Sequence, residues 1–224
     1  ATLGDSCARM ELLDGLFRAG MTGARVNLSH TSLPRCAPLL EGGYWPAARR
    51  AGRKNAHLLL DLQGPELRVG ELPRPTPLRE GDEVLLGEGG VPVPKAVLDL
   101  AKPGCQIVID DSALLLEVRR SSPSVILCRV ARGGTLQSKK GLALLGAQVD
   151  TPTLTQFDRE NLALAGKYGV THILLPFVRG PQDVEVLRRE LARLGLESIQ
   201  VVAKIEDAQG LEQLDGIMAA ADQI

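Results

Sequence analysis

Met10, Leu13 and Phe17 recur at helical spacing behind Ser6, a residue type suited to an N-cap, and Gly20 stands where such a helix would stop. Ala24, Val26 and Leu28 then alternate with Arg25 and Asn27, the period of a short strand. An Ala- and Arg-rich stretch from about Pro38 to Ala51 reads as helix. His57–Asp61 (HLLLD) is a compact apolar run ending in a carboxylate, the pattern of a strand buried on both faces. From Glu66 to about Val149 the character changes. Pro and Gly recur, and short alternating runs at Glu83–Leu86, Gln106–Ile109, Leu114–Val118 and Val125–Val130 predict a small all-β module. Helix–strand alternation then resumes, which makes that module an insertion. Thr155, with Asp158 three residues on, forms a weak capping box for a helix presenting Leu162 and Ala165, and Gly169 ends it. Thr171–Leu175 reads as a strand. Pro181 opens a helix with Val184, Leu187, Leu191 and Leu194 inward, ended by Gly195; Ser198–Ala203 is a strand and Leu211–Ala220 a final helix.

Repeated strand–helix units favour a parallel sheet with right-handed crossovers, and in such folds reactive groups gather at the C-terminal ends of strands. Here those ends are polar: Arg25 and Asn27 leading into Ser29 and His30, then Asp61, then Phe177 and Arg179, then Lys204 and Glu206. Arg25 and Lys204 suit a phosphate or carboxylate, and Asp61 and Glu206 suit a hard cation held through oxygen. Plainer readings stand beside these. Arg25 and Asp61 could be a strand-end ion pair, Lys204 and Glu206 could neutralise each other, Asp61 could cap a turn, and Ser29 and His30 could be loop residues. The run Arg49, Arg50, Arg53, Lys54 reads as a solvated helix end. Gly89-Gly90 and Gly133-Gly134 read as hairpin turns.

Of 224 residues, 44% are apolar and 24% charged, ordinary values for a soluble globular chain, and only 3% are aromatic, so the core is aliphatic. The 26 basic and 27 acidic residues give a net charge of -1, which argues against a nucleic-acid-coating protein. No apolar stretch approaches a membrane span, and no signal peptide is visible, so a membrane partner is not expected. Cys7, Cys36, Cys105 and Cys128 form no CxxC pair and lie far from His30, His57 and His172. A zinc site is not expected, and a reduced cytoplasmic protein is.

The segments ATLGDSC, GMTGARVNLSH, LLLDLQGPELRVG, IVIDD, SKKGLALLG, VDTPTLTQFD, LPFVR and VVAKIEDAQGLEQLD follow one another in the order seen in pyruvate kinases, which the chain resembles over essentially its whole length. The resemblance implies an α/β fold: a partial TIM (β/α)8-type barrel with an inserted small all-β lid domain. The barrel's first part would span 1–65, the lid 66–150 and the continued, truncated barrel 151–224. It implies phosphoryl transfer from phosphoenolpyruvate to ADP, giving pyruvate and ATP, with Mg²⁺ (or Mn²⁺) and K⁺ as cofactors, and a cytoplasmic enzyme that is a homo-oligomer in its full-length form. By the same resemblance, Arg25 would contact the transferring phosphate, and Lys204 would stabilise it and the enolate. Glu206 would bind Mg²⁺; Asn27, Ser29, Asp61 and the Leu62 carbonyl would bind K⁺; Asn27, His30, Arg68 and Lys140 would contact the nucleotide.

The chain departs from the family at Gln63 (usually Lys), Pro176 (usually Ser), Ser112 (usually Gly), Ala143–Gly146 (usually NLPG) and Ala221–Ile224, where SDGI is usual. The family's next motif, with a second Mg²⁺ carboxylate, would fall beyond Ile224. A complete barrel takes ~250 residues, whereas about 140 remain outside the insert, enough for roughly five strand–helix units. A partial chain, or one completed by something else, is therefore expected. Two alternatives are a degenerate paralogue serving as an anion-binding or regulatory module, and a carbon–carbon lyase acting on small keto acids.

Overall fold

The computed structural model describes residues 1–7, 9–110, 112–145 and 151–224, the Asp5 side chain excepted. The second aspartate of IVIDD, Gly146 of SKKGLALLG, and Val149 and Asp150 of VDTPTLTQFD lie outside them. The chain divides into two compact units, Ala1–Pro65 with Pro152–Ile224, and Glu66–Thr151.

The first unit is built on a four-stranded parallel sheet whose strands, in spatial order, are Gly23–Asn27, His57–Asp61, His172–Leu175 and Gln200–Ala203. Strand periodicity places Ala24, Val26, Leu58, Leu60, Ile173, Leu175, Val201 and Ala203 on one face, all buried. They share a core with Leu13 and Phe17 of helix Met10–Arg18 and with Val184, Leu187 and Leu191 of helix Pro181–Arg193. The other face carries Arg25, Asn27, His57, Leu59, Asp61, His172 and Val202. HLLLD is therefore not buried on both faces: His57 is exposed and Leu59 half-buried. The reason is that the sheet does not close on itself among the described residues. Among the described residues the parallel sheet has four strands, not five, flanked by single bridges, Thr2 to Arg25 at one edge and Val202 to Gln223 at the other.

Local expectations are corrected at four places, one being the Thr155 helix, which is two: Gln156–Leu162 and Ala165–Tyr168, the second ended by Gly169. Ser6 does not cap the first helix; it lies in a 3₁₀ turn, Asp5–Cys7, and Arg9 occupies the cap position without a side-chain bond. Met10 is accordingly exposed, and only Leu13 and Phe17 turn inward. The helical stretch begins at Leu33, not Pro38, running as Leu33–Leu39, a π turn Leu40–Tyr44, then Trp45–Arg50. The last helix is two, Ala208–Glu212, capped by Asp207 on the Gly210 N–H at 2.8 Å, and Leu214–Ala220.

The second unit holds a five-stranded antiparallel sheet in the spatial order Glu83–Gly87, Val125–Arg132, Leu114–Ser121, Gln106–Ile109, Leu142–Leu145, plus a small pair, Thr76–Leu78 with Gly134–Leu136. It has its own core around Leu86, Ile107, Leu116, Ile126 and Cys128. It is not all-β. Lys95–Leu100 is a helix, because Val97 and Ala101, one turn apart, both bury against that core. Gly133-Gly134 is not a hairpin turn either. Gly134 starts a strand, and a Cβ on Gly133 would fall 2.6 Å from the Leu78 carbonyl oxygen, so the glycine permits a close backbone approach.

Candidate active site

The parallel registers bring the exits of four strands level. Asn27 stands opposite Asp61, and Leu174 pairs with Asp61 from the other side. Backbone bonds continue past the strand ends: Leu28 N–H to the Asp61 carbonyl at 2.9 Å, Leu62 N–H to the Leu174 carbonyl at 3.1 Å, and Lys204 N–H to the Leu175 carbonyl at 2.9 Å. Side chains projecting there are thus carried on fixed backbone.

Asp61, 2% exposed, is the centre of the cluster. Arg25 Nε lies 2.8 Å from its Oδ2 and Lys204 Nζ 3.1 Å from its Oδ1; Lys204 Nζ is also 3.5 Å from Glu206 Oε1. These are ion-pair distances, yet Arg25 Nε and Asp61 Oδ1 are buried without an aligned hydrogen bond. Charge holds the group together, while directional bonding capacity remains open. Glu206 Oε2 accepts the Phe177 N–H at 2.9 Å, which fixes that carboxylate beneath a residue held at φ 53°. Both plainer pairings raised by the sequence are present, but as one four-residue group, not two separate pairs.

The remaining expected residues divide. The Asn27 Oδ1 accepts the Ser29 N–H at 3.0 Å, and the Asn27 carbonyl accepts the His30 N–H at 3.2 Å, a turn that sets Ser29 and His30 beside the strand exit. Ser29, His30 and Gln63 line a cavity of about 310 Å³ with Leu28, Thr31, Ser32, Arg35 and Phe157. Arg179 does not join the cluster, because Asp183 binds its guanidinium at 3.0 Å. Burial works against the charge of Asp183, but hydrogen bonds from Arg179 and Thr153 hold its carboxyl below the usual carboxylate range. Arg68 and Lys140 belong to the second unit. There Arg68 pairs with Glu66 and donates to the Lys139 carbonyl at 2.7 Å, and Lys140 pairs with Asp110 at 2.9 Å.

Sequence reasoning missed the full role of Asp158. Its carboxylate is wholly buried and completes the capping box with Thr155, but Oδ1 also accepts the Gln63 N–H at 2.9 Å and faces the Gly64 N–H at 3.4 Å. It therefore ties the loop leaving Asp61 to the start of helix Gln156–Leu162. The capping signature was the available signal, and it pointed to only half of this.

For cations, Asp61 Oδ1 lacks a hydrogen bond, Asn27 is its neighbour in register, and the Asn27, Ser29 and Leu62 oxygens are donors of the kind a hard monovalent ion takes. Glu206 alone suits a divalent one that keeps its other positions for water or substrate oxygens. Among the described residues no three His, Cys, Asp or Glu side chains gather into a metal cage. No helix among them is long and apolar enough to cross a membrane.

The family model described as pyruvate kinase, barrel domain, matches residues 1–224. Similar proteins include the pyruvate kinase of Aeropyrum pernix, 32% identical over 227 residues, covering 100% of this chain and 49% of that protein. That of Geobacillus stearothermophilus is 33% identical over 236 residues (99% and 39%), and that of Mycobacterium tuberculosis H37Rv is 31% identical over 232 residues (100% and 48%). The chain spans about half the length of the curated relatives it matches, or less. A match along the whole sequence, together with relatives that all carry the same enzyme name, gives the assignment that the chain belongs to the pyruvate kinase family.

Proposed function

We propose that this chain contributes the phosphoryl-transfer site of a pyruvate kinase: phosphoenolpyruvate plus ADP to pyruvate plus ATP. The observation that carries the reading is the Arg25–Asp61–Lys204–Glu206 group at the exits of adjacent parallel strands. Phosphoryl transfer needs little covalent help from the protein; it needs in-line positioning and neutralisation of the oxygens in flight. Arg25 binds the phosphate oxygens with its planar fork. Lys204 supplies positive charge to the same oxygens and to the enolate left behind, in a partly dry site where that charge counts for more than in water. Asp61 holds both cations in place between turnovers.

Glu206 would hold Mg²⁺, and Asn27, Ser29, Asp61 and the Leu62 carbonyl would hold K⁺; the two ions would supply positive charge to offset that on the phosphate oxygens. Asn27, His30, Arg68 and Lys140 are assigned to the nucleotide, whose phosphate charge Arg68 and Lys140 suit. The enolate then takes a proton to give pyruvate. A cytoplasmic homo-oligomer fits the same reading.

A coupled assay on the protein carrying this chain, with phosphoenolpyruvate, ADP, Mg²⁺ and K⁺, tests it. ATP formation should fall by about a hundredfold or more in Lys204→Met. Equal rates for the two proteins would remove the reading.

A further inference from the structure

Asp158 lies outside the charged group, yet three contacts in series lead from it to Glu206. The first is made by the Asp158 carboxylate, which is wholly buried and works in two directions. Oδ2 accepts the Thr155 N–H at 3.0 Å and the Thr155 hydroxyl at 2.6 Å; Oδ1 accepts the Gln63 N–H at 2.9 Å and faces the Gly64 N–H at 3.4 Å. Starting helix Gln156–Leu162 requires only the Thr155 side. The Gln63 side fixes the backbone that follows Asp61, and bonds to a carboxylate are the stronger kind.

The second contact is at Gly64, which stands at φ 64°. A Cβ there would fall 2.7 Å from Pro176 Cγ and 3.0 Å from Phe177 Cδ2. The loop leaving strand His57–Asp61 is thus seated on the segment leaving strand His172–Leu175, with no room for a side chain between them. The third contact is at Phe177. Its φ of 53° is one that a bulky residue keeps only where its surroundings impose it. Gly64 bounds its ring, and Glu206 Oε2 accepts its N–H at 2.9 Å. That bond sets the direction in which the Glu206 carboxylate points.

We infer that Asp158 is a positioning residue for the divalent cation: its hold on Gln63 and Gly64, passed on through Pro176 and Phe177, aims Glu206. The inference rests on the reading above in giving Glu206 that cation. Proline at 176, where the family usually has serine, makes the middle of this path particular to this chain, because the ring atom Cγ is the one nearest Gly64 and the ring stiffens the segment before Phe177. Groups that orient a ligand without touching the metal commonly change its affinity ten- to a hundredfold, on the order of magnitude expected here.

Mn²⁺ binding followed by electron paramagnetic resonance, on the protein carrying this chain and without substrate, tests this. Asp158→Ala should weaken Mn²⁺ binding about tenfold. Thr155→Val, which breaks the capping box and leaves the Gln63 bond, should lower the melting temperature and keep the wild-type Mn²⁺ affinity. Pro176→Ala, which removes the ring facing Gly64 and leaves every carboxylate in place, should weaken Mn²⁺ binding severalfold, and it decides the question if Asp158→Ala does not fold. Glu206→Gln should lose the binding. If it binds Mn²⁺ as the wild type does, the ion sits elsewhere and the inference is overturned. Wild-type affinity in Asp158→Ala overturns it, and where that variant does not fold, wild-type affinity in Pro176→Ala does. An equal loss in Thr155→Val and Asp158→Ala overturns it as well, since capping alone would then account for the effect. Turnover dependent on Lys204 alongside Mn²⁺ binding indifferent to Asp158 rejects this inference alone. An intact Asp158 effect on Mn²⁺ with no turnover rejects the reaction alone.

Discussion

With 2% of its surface exposed, Asp61 faces Arg25 on one oxygen and Lys204 on the other. Neutralising it leaves two cations confined with no anion between them. Because their side chains are 38% and 29% exposed, part of their hydration can return, and the cost should sit below that of a fully buried pair. Asp61→Asn should lower unfolding stability by about 1–3 kcal/mol in urea titration; an unchanged midpoint would mean the cluster contributes nothing to the fold. Arg25, Lys204 and Glu206 were legible in the sequence because each falls within or just past a short apolar run, where parallel strands present their polar ends. Asp158 was legible only as a cap. Its bond to the Gln63 N–H spans 95 residues, and no local pattern carries that information. Ser6 misled for the opposite reason: a good capping residue stood near a helix, but the 3₁₀ turn at Asp5–Cys7 intervened.

At the scale of elements, two adjacent strands open with histidine. His57 and His172 stack edge to face with ring centroids 4.9 Å apart, and His172 Nδ1 lies 2.8 Å from the Thr171 hydroxyl. Burial, and then the neighbouring His57, push the His172 imidazole below its ordinary value of 6.5; a hydrogen bond with Gln200 and the charge of Asp222 oppose this only in part. The fold therefore favours neutral His172. Its contribution is fully present above pH 6.5 and is lost as pH falls through that value toward the lower folded one. Asp222 and Asp183 titrate below the usual carboxylate range and so lie outside this window. Thermal unfolding followed by circular dichroism should show the melting temperature falling as the pH drops below 6.5, with a shallower fall in His172→Gln. Parallel slopes for the two proteins would clear His172. The HLLLD run gave the strand but not its half-open face, because two-sided burial depends on whether the sheet closes, which is not a property of any five residues.

At the scale of the whole molecule, the two units have separate cores: one gathers Phe17, Tyr44, Leu60 and Val201, the other Leu86, Ile107, Leu116 and Ile126. The change of composition at Glu66 made the division readable, since alternating short strands cannot supply the helix-backed face that the parallel sheet needs. The helix Lys95–Leu100 was not readable, because six residues with one fully buried position, Val97, fit a strand pattern as well as a helical one. A segment of about 85 residues with its own closed set of apolar contacts is long enough to fold unaided. The 66–151 peptide alone should therefore unfold cooperatively, and Cys128 offers an internal reporter. Burial pushes its thiol up to about 12, so it should resist thiol reagents until the sheet opens, while half-buried Cys105 reacts earlier. Mass-spectrometric labelling across a urea series would separate the two sites. If Cys128 in the isolated peptide reacts as fast as in full denaturant, the second unit draws its stability from the rest of the chain, and the two cores are one folding unit despite their separate contacts.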